Sequence, residues 1–175
     1  MKRQVYSELV GEATIIDVQV ENVKCKALLD TGSQITSVCQ TFYDKYLSHL
    51  TLHSMDSIIN IAAANGAKVP YAGYVEIGMH FPESQSGVNF KECIPVLVVP
   101  DTEFNAEVPF IVGTNVIKAC FSMRVSASKP HDFDKGVCDQ WRLAYNFVRV
   151  SQKVDREDGT CGKVKLTRAQ AVHPN

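Results

Sequence analysis

Residues 27–33 of this chain read ALLDTGS, three apolar residues followed by Asp30, Thr31, Gly32 and Ser33. Asp30 supplies a carboxylate that can take up or release a proton, and Thr31 supplies a small hydroxyl that can tie down a loop. Gly32 has no side chain to block a substrate, and Ser33 adds a hydroxyl that can hydrogen-bond the carboxylate. Because Asp, Thr and Gly also form ordinary turns, the segment predicts a catalytic carboxylate only where its surroundings agree.

The residues before Asp30 predict a β-hairpin that ends in this carboxylate. Apolar residues alternate or run from position 13 to 29, and the two-residue turn that interrupts them falls at 21–22. Residues 35–38 resume β-rich sequence after the glycine. A strand, a tight loop and another strand therefore place Asp30 at the tip of a loop.

A second hairpin is predicted between the β-like runs at 57–61 and 74–77. The pair Asn65-Gly66 is a strong turn signal, and the small residues around it would leave the tip light and mobile. The predicted tip consists of Ala62, Ala63, Ala64, Asn65, Gly66 and Ala67.

Further apolar patterns predict short helices and buried strands. Helical spacing of apolar residues indicates a short helix at 42–50, and 94–99 is a candidate buried strand. A short apolar strand at 110–112 ends at Gly113. Thr114 is the expected N-cap of the helix that follows.

Composition narrows the classes of function. The chain has 175 residues, 18 of them Lys or Arg and 19 Asp or Glu, with a formal net charge of -1. This length favours one domain plus an appendage. A chain without a Lys/Arg cluster is not typical of a protein that neutralises phosphates, so we expect no nucleic-acid partner.

Neither a membrane nor a metal is indicated. No apolar run approaches the roughly 20 residues of a membrane-spanning helix, and residues 1–4 lack the apolar core of a signal peptide. The six cysteines form no Cys-x-x-Cys pair, and the five histidines lack metal-ligand spacing. We expect reduced thiols, no metal, no cofactor, no membrane partner and a cytoplasmic location.

The order of these elements resembles the retropepsin-like aspartic proteases, specifically those of Ty3/gypsy-type retrotransposon polyproteins. The resemblance covers roughly residues 10 to 125. Its four features are the hairpin into 27–33, the flap-like hairpin near 65–66, the apolar strand ending in 111–113 and the helix opened by 114–117. It implies a mainly β fold, a retropepsin-like acid-protease half-barrel with a flap hairpin and one or two short helices.

The resemblance also implies roles for single residues. In the family, Asp is the catalytic residue, Thr locks the loop and the flap covers the substrate. These roles carry over to Asp30, to Thr31, which would hydrogen-bond into the partner's loop, and loosely to residues 62–68. Gly32 and Ser33 would support the loop around the carboxylate.

The start of the predicted helix departs from the family pattern. Many retroviral members have Gly-Arg-Asp or Gly-Arg-Asn there, whereas this chain has Gly113, Thr114 and Asn115. The interface ion pair of the family arginine is therefore not carried over. We expect Gly113 and Asn115 to be structural residues near the site, with Asn115 satisfying backbone groups at the helix start.

Peptide hydrolysis by such an enzyme needs two carboxylates about 3 Å apart that share one proton. One acts as base on a water and the other as acid toward the carbonyl oxygen. The chain has a single Asp-Thr-Gly, because the later Asp101-Thr102 is followed by Glu103. We therefore expect a homodimer in which Asp30 and its symmetry mate act on an extended peptide from the polyprotein.

The resemblance divides the chain into a protease domain, 1–125, and a second segment, 126–175. Within that segment we expect a linker at 126–135, an amphipathic helix at 136–150 and a polar, loosely ordered tail. The helix would pack against the protease body with Trp141 as an anchor, or else serve in dimer contact or as a spacer.

Three functions are compatible with the sequence. The leading hypothesis is an aspartic endopeptidase that processes its own Gag-Pol-type polyprotein in the cytoplasm, including the particles of a retroelement. One alternative is a catalytically inactive retropepsin-fold domain kept for binding or dimerisation, in which Asp30 is present but the dyad is not assembled. Another is a host retropepsin-like protease that acts on cellular proteins.

Overall fold

The computed structural model describes residues 11, 13–55, 60–63 and 66–157. Within this part of the chain, six strands close into a barrel in the order β1-β2-β6-β3-β5-β4, and β4 returns to pair with β1. The strands are β1 Ile15–Val20, β2 Val23–Leu29, β3 Ser37–Cys39, β4 Gly73–Phe81, β5 Phe90–Val99 and β6 Phe110–Val112. The predicted mainly β fold is confirmed.

Four α-helices accompany the barrel in the described residues. They are α1 Gln40–Phe42, which continues as a π-helical turn over Tyr43–Leu47, α2 Glu83–Ser86, α3 Thr114–Ala127 and α4 Asp139–Glu157. The prediction of Thr114 as an N-cap is wrong. Gly113 occupies the cap position without a side-chain cap bond, and Thr114 is the first helical residue.

The first hairpin forms as predicted, and its turn also helps to close the barrel. Val20 pairs with Val23 across the turn. Glu21 adopts a left-handed φ of 49°, which is uncommon for a residue other than glycine. Two bonds to Gly78 of β4 hold it there, because Glu21 N–H donates to the Gly78 carbonyl (2.8 Å) and the Glu21 carboxylate accepts the Gly78 N–H (2.6 Å).

The barrel interior is filled by alternate residues of the strands. Side chains of successive strand residues point to opposite faces, so apolar residues two apart meet in the interior. Burial alternates along both β1 and β4 in this way. The buried apolar side chains of these two strands are Ile16, Val18, Val20, Val75, Ile77, Met79 and Phe81.

The C-terminal helix α4 packs against the barrel, as predicted for an amphipathic helix with Trp141 as its anchor. The helix occupies 139–157 rather than 136–150, so part of the predicted tail is helical, and residues 158–175 lie outside the described part. Six rings in mutual contact, the aromatic cluster, join it to β4, β5 and α3 at centroid distances between 4.9 and 5.9 Å. The aromatic cluster consists of Phe81, Phe90, Phe121, Phe133, Trp141 and Tyr145.

The linker predicted at 126–135 is instead a packed connection. Its first two residues end α3, and a 3-10 turn follows at Pro130–Asp132. The Arg124 guanidinium donates to the carbonyls of Phe133 (3.0 Å) and Gly87 (2.8 Å), among others. One arginine thus ties this segment to the turn after α2, a long-range contact that no local composition signal reveals. The division of the chain at residue 125 stays a prediction.

No helix among the described residues is both long enough and apolar enough to cross a membrane.

Candidate active site

Asp30 lies at the end of β2 and is positioned by the neighbouring strand β6. The two strands run parallel, with Leu29 opposite Val112. Asp30 N–H then donates to the Val112 carbonyl at 3.0 Å, which extends the strand pairing by one bond. The sequence predicted that β2 delivers Asp30 at its end, and the structure places it there, partly buried.

The loop that begins at Asp30, which we call the Asp30 loop (residues 30–33), is closed by short local bonds. Gly32 N–H donates to Asp30 Oδ1 at 2.8 Å, and Ser33 N–H donates to the Asp30 carbonyl at 3.2 Å. A Cβ on Gly32 would lie 3.1 Å from Asp30 Oδ1, so a larger residue would crowd the carboxylate. The carboxylate is therefore held in one orientation by the backbone of its own loop.

Ser33 does not bond the carboxylate, contrary to the prediction. Its hydroxyl donates to the Ile35 carbonyl at 2.7 Å and accepts the Ile35 N–H at 3.4 Å. Ser33 therefore shapes the end of the loop. Thr31 is partly buried, and its hydroxyl forms no hydrogen bond within the described residues, so the bond across a dimer axis stays a prediction.

The far end of the Asp30 loop is held by the junction between β6 and α3. Thr114 N–H donates to the Ser33 carbonyl at 2.8 Å. A Cβ on Gly113 would come within 2.6 Å of the Ile35 carbonyl carbon and oxygen. Real side chains do not approach a backbone so closely, so the junction can pass behind the loop only with glycine at 113.

Asn115 contacts this junction through Thr36, a residue that the sequence analysis did not single out. Asn115 Oδ1 accepts the Thr36 hydroxyl proton at 2.9 Å, and the Thr36 oxygen accepts the Gly113 N–H at 3.1 Å. We expected Asn115 to bond backbone groups at the helix start. Among the described residues its side chain instead bonds the Thr36 hydroxyl. The only sequence signal for Thr36 is a hydroxyl among β-forming residues just after the loop, which is too common to identify a site.

No second carboxylate of the described residues pairs with Asp30. Asp101, which belongs to the later Asp-Thr pair, accepts the Thr41 N–H at 3.0 Å and the Thr41 hydroxyl at 2.8 Å. The Thr41 backbone N–H, followed by the hydroxyl, lowers the pKa of Asp101. Asp101 therefore stabilises the start of α1, and both of its carboxylate oxygens bond Thr41 rather than a residue of the Asp30 loop.

The predicted flap is present in part. Ala62 and Lys68 form an antiparallel bridge. Ala63 N–H donates to the Ala67 carbonyl and Gly66 N–H to the Ala63 carbonyl, both at 2.8 Å, and Gly66 has a φ of 80°. The described residues on the two sides of this region therefore pair with each other, and Ala62, Ala63, Gly66 and Ala67 are exposed. The tip residues Ala64 and Asn65, and residues 57–59 of the predicted strand, lie outside the described part.

The described residues contain no group of three His, Cys, Asp or Glu placed to hold a metal ion. Of the described cysteines, Cys39 and Cys120 are buried and Cys93 is exposed, and all are free thiols. The groups that the Asp30 loop itself presents are the Asp30 carboxylate and backbone hydrogen-bonding groups.

No protein-family model matches the chain, and no curated protein does so either. Solved structures similar to it include the retroviral protease-like domain of Ddi1 from Leishmania major, with 14% identity, a TM-score of 0.42, and coverage of 62% of this chain and 78% of that one. Another is EIAV protease complexed with the inhibitor HBY-793, with 15% identity, a TM-score of 0.46, and coverage of 69% and 94%.

The protein Lpg0085 of unknown function from Legionella pneumophila is also similar, with 15% identity, a TM-score of 0.37, and coverage of 61% of this chain and 84% of that one. At this level of identity the likeness concerns the fold, and no residue role follows from it.

Proposed function

We propose that the chain is an aspartic endopeptidase that acts as a homodimer and processes a retroelement polyprotein of the Gag-Pol type. The observation that supports this most is the position of Asp30. Its carboxylate is partly buried, oriented by Gly32 N–H, and carried on a loop that β6 and α3 hold at both ends. A carboxylate held in this way is prepared for proton transfer at a fixed place.

The need for a second copy follows from the chemistry. One carboxylate cannot act as base and acid in the same step, and no other acidic side chain of the described residues bonds Asp30. A two-fold dimer would bring the same loop from each copy to the axis, since such an interface pairs a surface with itself. Two carboxylates at that distance would share one proton, because both cannot ionise cheaply.

The dyad would hydrolyse a peptide bond in two steps that balance their protons. The ionised carboxylate takes a proton from a water, whose oxygen attacks the peptide carbonyl carbon, while the protonated carboxyl gives its proton to the carbonyl oxygen. The first carboxyl then gives its proton to the amide nitrogen as the carbon–nitrogen bond breaks, and the second carboxylate takes a proton from a hydroxyl of the tetrahedral intermediate, which becomes the new carboxyl group. The pair returns to its starting state with one proton.

An extended peptide fits this arrangement as substrate. The flap predicted at 62–68 would close over it from each copy, exclude water and add strand-like hydrogen bonds to its backbone. The resemblance of residues 10 to 125 to the Ty3/gypsy-type proteases supports a polyprotein as the source of that peptide.

The test uses the full chain with a denatured protein as substrate, between mildly acid and neutral pH. We expect internal peptide bonds to be cleaved, as read by mass spectrometry, and cleavage to stop with a transition-state analogue of aspartic proteases. Because two copies build the site, specific activity should fall on dilution over the range in which sedimentation shows the dimer dissociating. Asp30→Asn should remove cleavage.

The matched control is Asp101→Asn, the other aspartate that precedes a threonine. The amide oxygen at 101 can still accept the Thr41 N–H, so this variant should fold and cleave normally. Equal cleavage by the native chain and Asp30→Asn would refute the role of Asp30. A stable dimer without cleavage of any substrate would favour the inactive binding or dimerisation domain instead.

A further inference from the structure

Thr36 joins three elements behind the Asp30 loop. Its residue exposure is 0%. Its hydroxyl donates to Asn115 Oδ1 (2.9 Å) and accepts the Gly113 N–H (3.1 Å), while its carbonyl accepts the Leu97 N–H (3.0 Å). The segment before β3, the junction of β6 with α3, and β5 are thus bonded to a single buried residue.

Gly113 lies between the two residues that anchor the Asp30 loop. On one side, the Val112 carbonyl accepts the Asp30 N–H at 3.0 Å, and on the other, Thr114 N–H donates to the Ser33 carbonyl at 2.8 Å. A displacement of Gly113 would therefore move both ends of the loop. Its own N–H has one partner among the described residues, the Thr36 hydroxyl.

We propose that Thr36 is a positioning residue for the reaction, which sets the place of Asp30 through Gly113. Asn115 orients the hydroxyl, because it accepts the Thr36 proton and so leaves an oxygen lone pair directed at the Gly113 N–H. This inference rests on the proposed function and adds a residue that does not touch the substrate. Thr36 acts on the rate through the backbone that carries the carboxylate.

Two-fold symmetry makes such positioning stringent. Any displacement of Asp30 away from the axis occurs in both copies, so the separation of the two carboxylates changes by up to twice that displacement. The shared proton requires a separation of about 3 Å. As the carboxylates move apart, their coupling weakens, and the pH range over which the pair holds one proton becomes narrower from both sides.

The first test compares Thr36→Val, which keeps the shape but removes the hydroxyl, with Thr36→Ser, which keeps the hydroxyl. In Thr36→Val we expect kcat to fall by about 100-fold, the effect of a displacement near 1 Å, with little change in KM. Its pH–rate profile should narrow on both limbs. No charged side chain among the described residues bonds Asp30, so the narrowing would report on the pair itself. Thr36→Ser should restore both kcat and the width of the profile.

The second test does not depend on activity. It uses a different variant, so it can be carried out even if Thr36→Val folds poorly. Asn115 is exposed, so Asn115→Ala should fold, yet it removes the acceptor that orients the Thr36 hydroxyl. We compare amide hydrogen exchange in the native chain and in Asn115→Ala. The amides of Asp30, Gly113 and Thr114 should exchange faster in the variant. Amides in the middle of β4 should be unchanged.

The outcomes separate this proposal from the proposed function. If the native chain cleaves no substrate, the proposed function fails, and the exchange measurement alone decides whether Thr36 fixes the loop. If the native chain is active but Thr36→Val keeps its kcat and profile width, the positioning role is refuted. Equal losses in Thr36→Val and Thr36→Ser would also refute it, because the hydroxyl would then not be the group responsible.

Discussion

The Asp30 loop and the aromatic cluster are stabilised in different ways. Around Asp30, backbone and carboxylate bonds of 2.8 to 3.2 Å fix the loop at both ends. In the aromatic cluster, six rings pack at centroid distances of 4.9 to 5.9 Å, and the one side-chain hydrogen bond among them runs from the Tyr145 hydroxyl to the Ser86 carbonyl. The first region is held by polar bonds and the second by apolar contacts, and both join distant segments of the chain.

The two kinds of contact have different consequences, one for the position of the Asp30 carboxylate and the other for the stability of the fold. Hydrogen bonds are directional, so a network of them determines where a carboxylate lies, whereas apolar burial is roughly proportional to area and determines how stable the fold is. Changes in the Asp30 loop should therefore alter catalysis with little loss of stability. Changes in the aromatic cluster should lower the free energy of unfolding and leave the chemistry of the folded fraction unchanged.

The largest effect is expected at Asp30 itself. Asp30→Asn removes the ionisable group from both members of the proposed dyad, and we expect kcat to fall by about 10⁴-fold, the upper range for acid–base catalysis. The Asn oxygen can still accept the Gly32 N–H, so the denaturant midpoint should stay close to that of the native chain. A large loss of stability in this variant would contradict the separation of the two regions.

In the aromatic cluster, Trp141→Ala should have the largest effect on stability. Trp141 is completely buried and contacts the rings of Phe81 and Tyr145. We expect the free energy of unfolding to fall by about 3 to 5 kcal/mol, as for other buried aromatic residues replaced by alanine. Chemical denaturation measures this, and the pH–rate profile of the remaining folded enzyme should keep its width.

Trp141→Phe is the matched control for this change. The indole Nε1 has no hydrogen-bond partner among the described residues, so phenylalanine removes no bond and retains most of the ring contact. Trp141→Phe should lower the free energy of unfolding by much less than Trp141→Ala does. If both variants lose equal stability, the contribution of Trp141 would not come from ring packing.

The sequence predicts the Asp30 region well because its information is local. Alternation in β1 and β2 fixes the hairpin, the turn at 21–22 sets its register, and the apolar strand before Gly113 is short and bounded. Each of these signals depends on residues within one element. The pairing of β2 with β6 is seen only in the structure, because no pattern within either strand indicates it.

The residues that the sequence does not reveal act across long distances in the chain. Thr36 meets Asn115 and Gly113 more than seventy positions away, and Arg124 binds the Gly87 carbonyl 37 positions away. A threonine just before a strand and an arginine in a helix are common, so only the folded chain shows their partners. The prediction of a linker at 126–135 missed its packing for the same reason. The segment is polar in composition, and nothing in that composition indicates that Arg124 binds its backbone carbonyls.

Tyr145→Phe tests the polar contact within the aromatic cluster. The hydroxyl donates to the Ser86 carbonyl at 2.8 Å, and both residues are 0% exposed. Removing the donor leaves a buried acceptor without this bond, so we expect the free energy of unfolding to fall by about 1 to 3 kcal/mol. Chemical denaturation at neutral pH checks this, and an unchanged midpoint would mean that the bond contributes nothing to stability.

A buried thiol should also give the stability a pH dependence that is separate from that of activity, and this effect is absent at neutral pH. Burial, with a smaller effect of the nearby Cys39 thiol, raises the pKa of Cys25 from 9.0 to about 12. Between these values the unfolded chain loses the thiol proton and the folded chain keeps it. The free energy of unfolding should therefore fall as pH rises above 9, by at most about 1.4 kcal/mol per pH unit for this thiol.

Cys25→Ala should make that alkaline slope shallower, as measured by denaturation at a series of pH values from neutral to alkaline. In the proposed mechanism activity depends on a proton shared by two carboxylates, so it should already be lost at a lower pH, while the chain is still fully folded. Activity and stability that decline together over one pH range would show that the loss of activity is unfolding. The dyad would then have no titration of its own, and the separation between the two regions would fail.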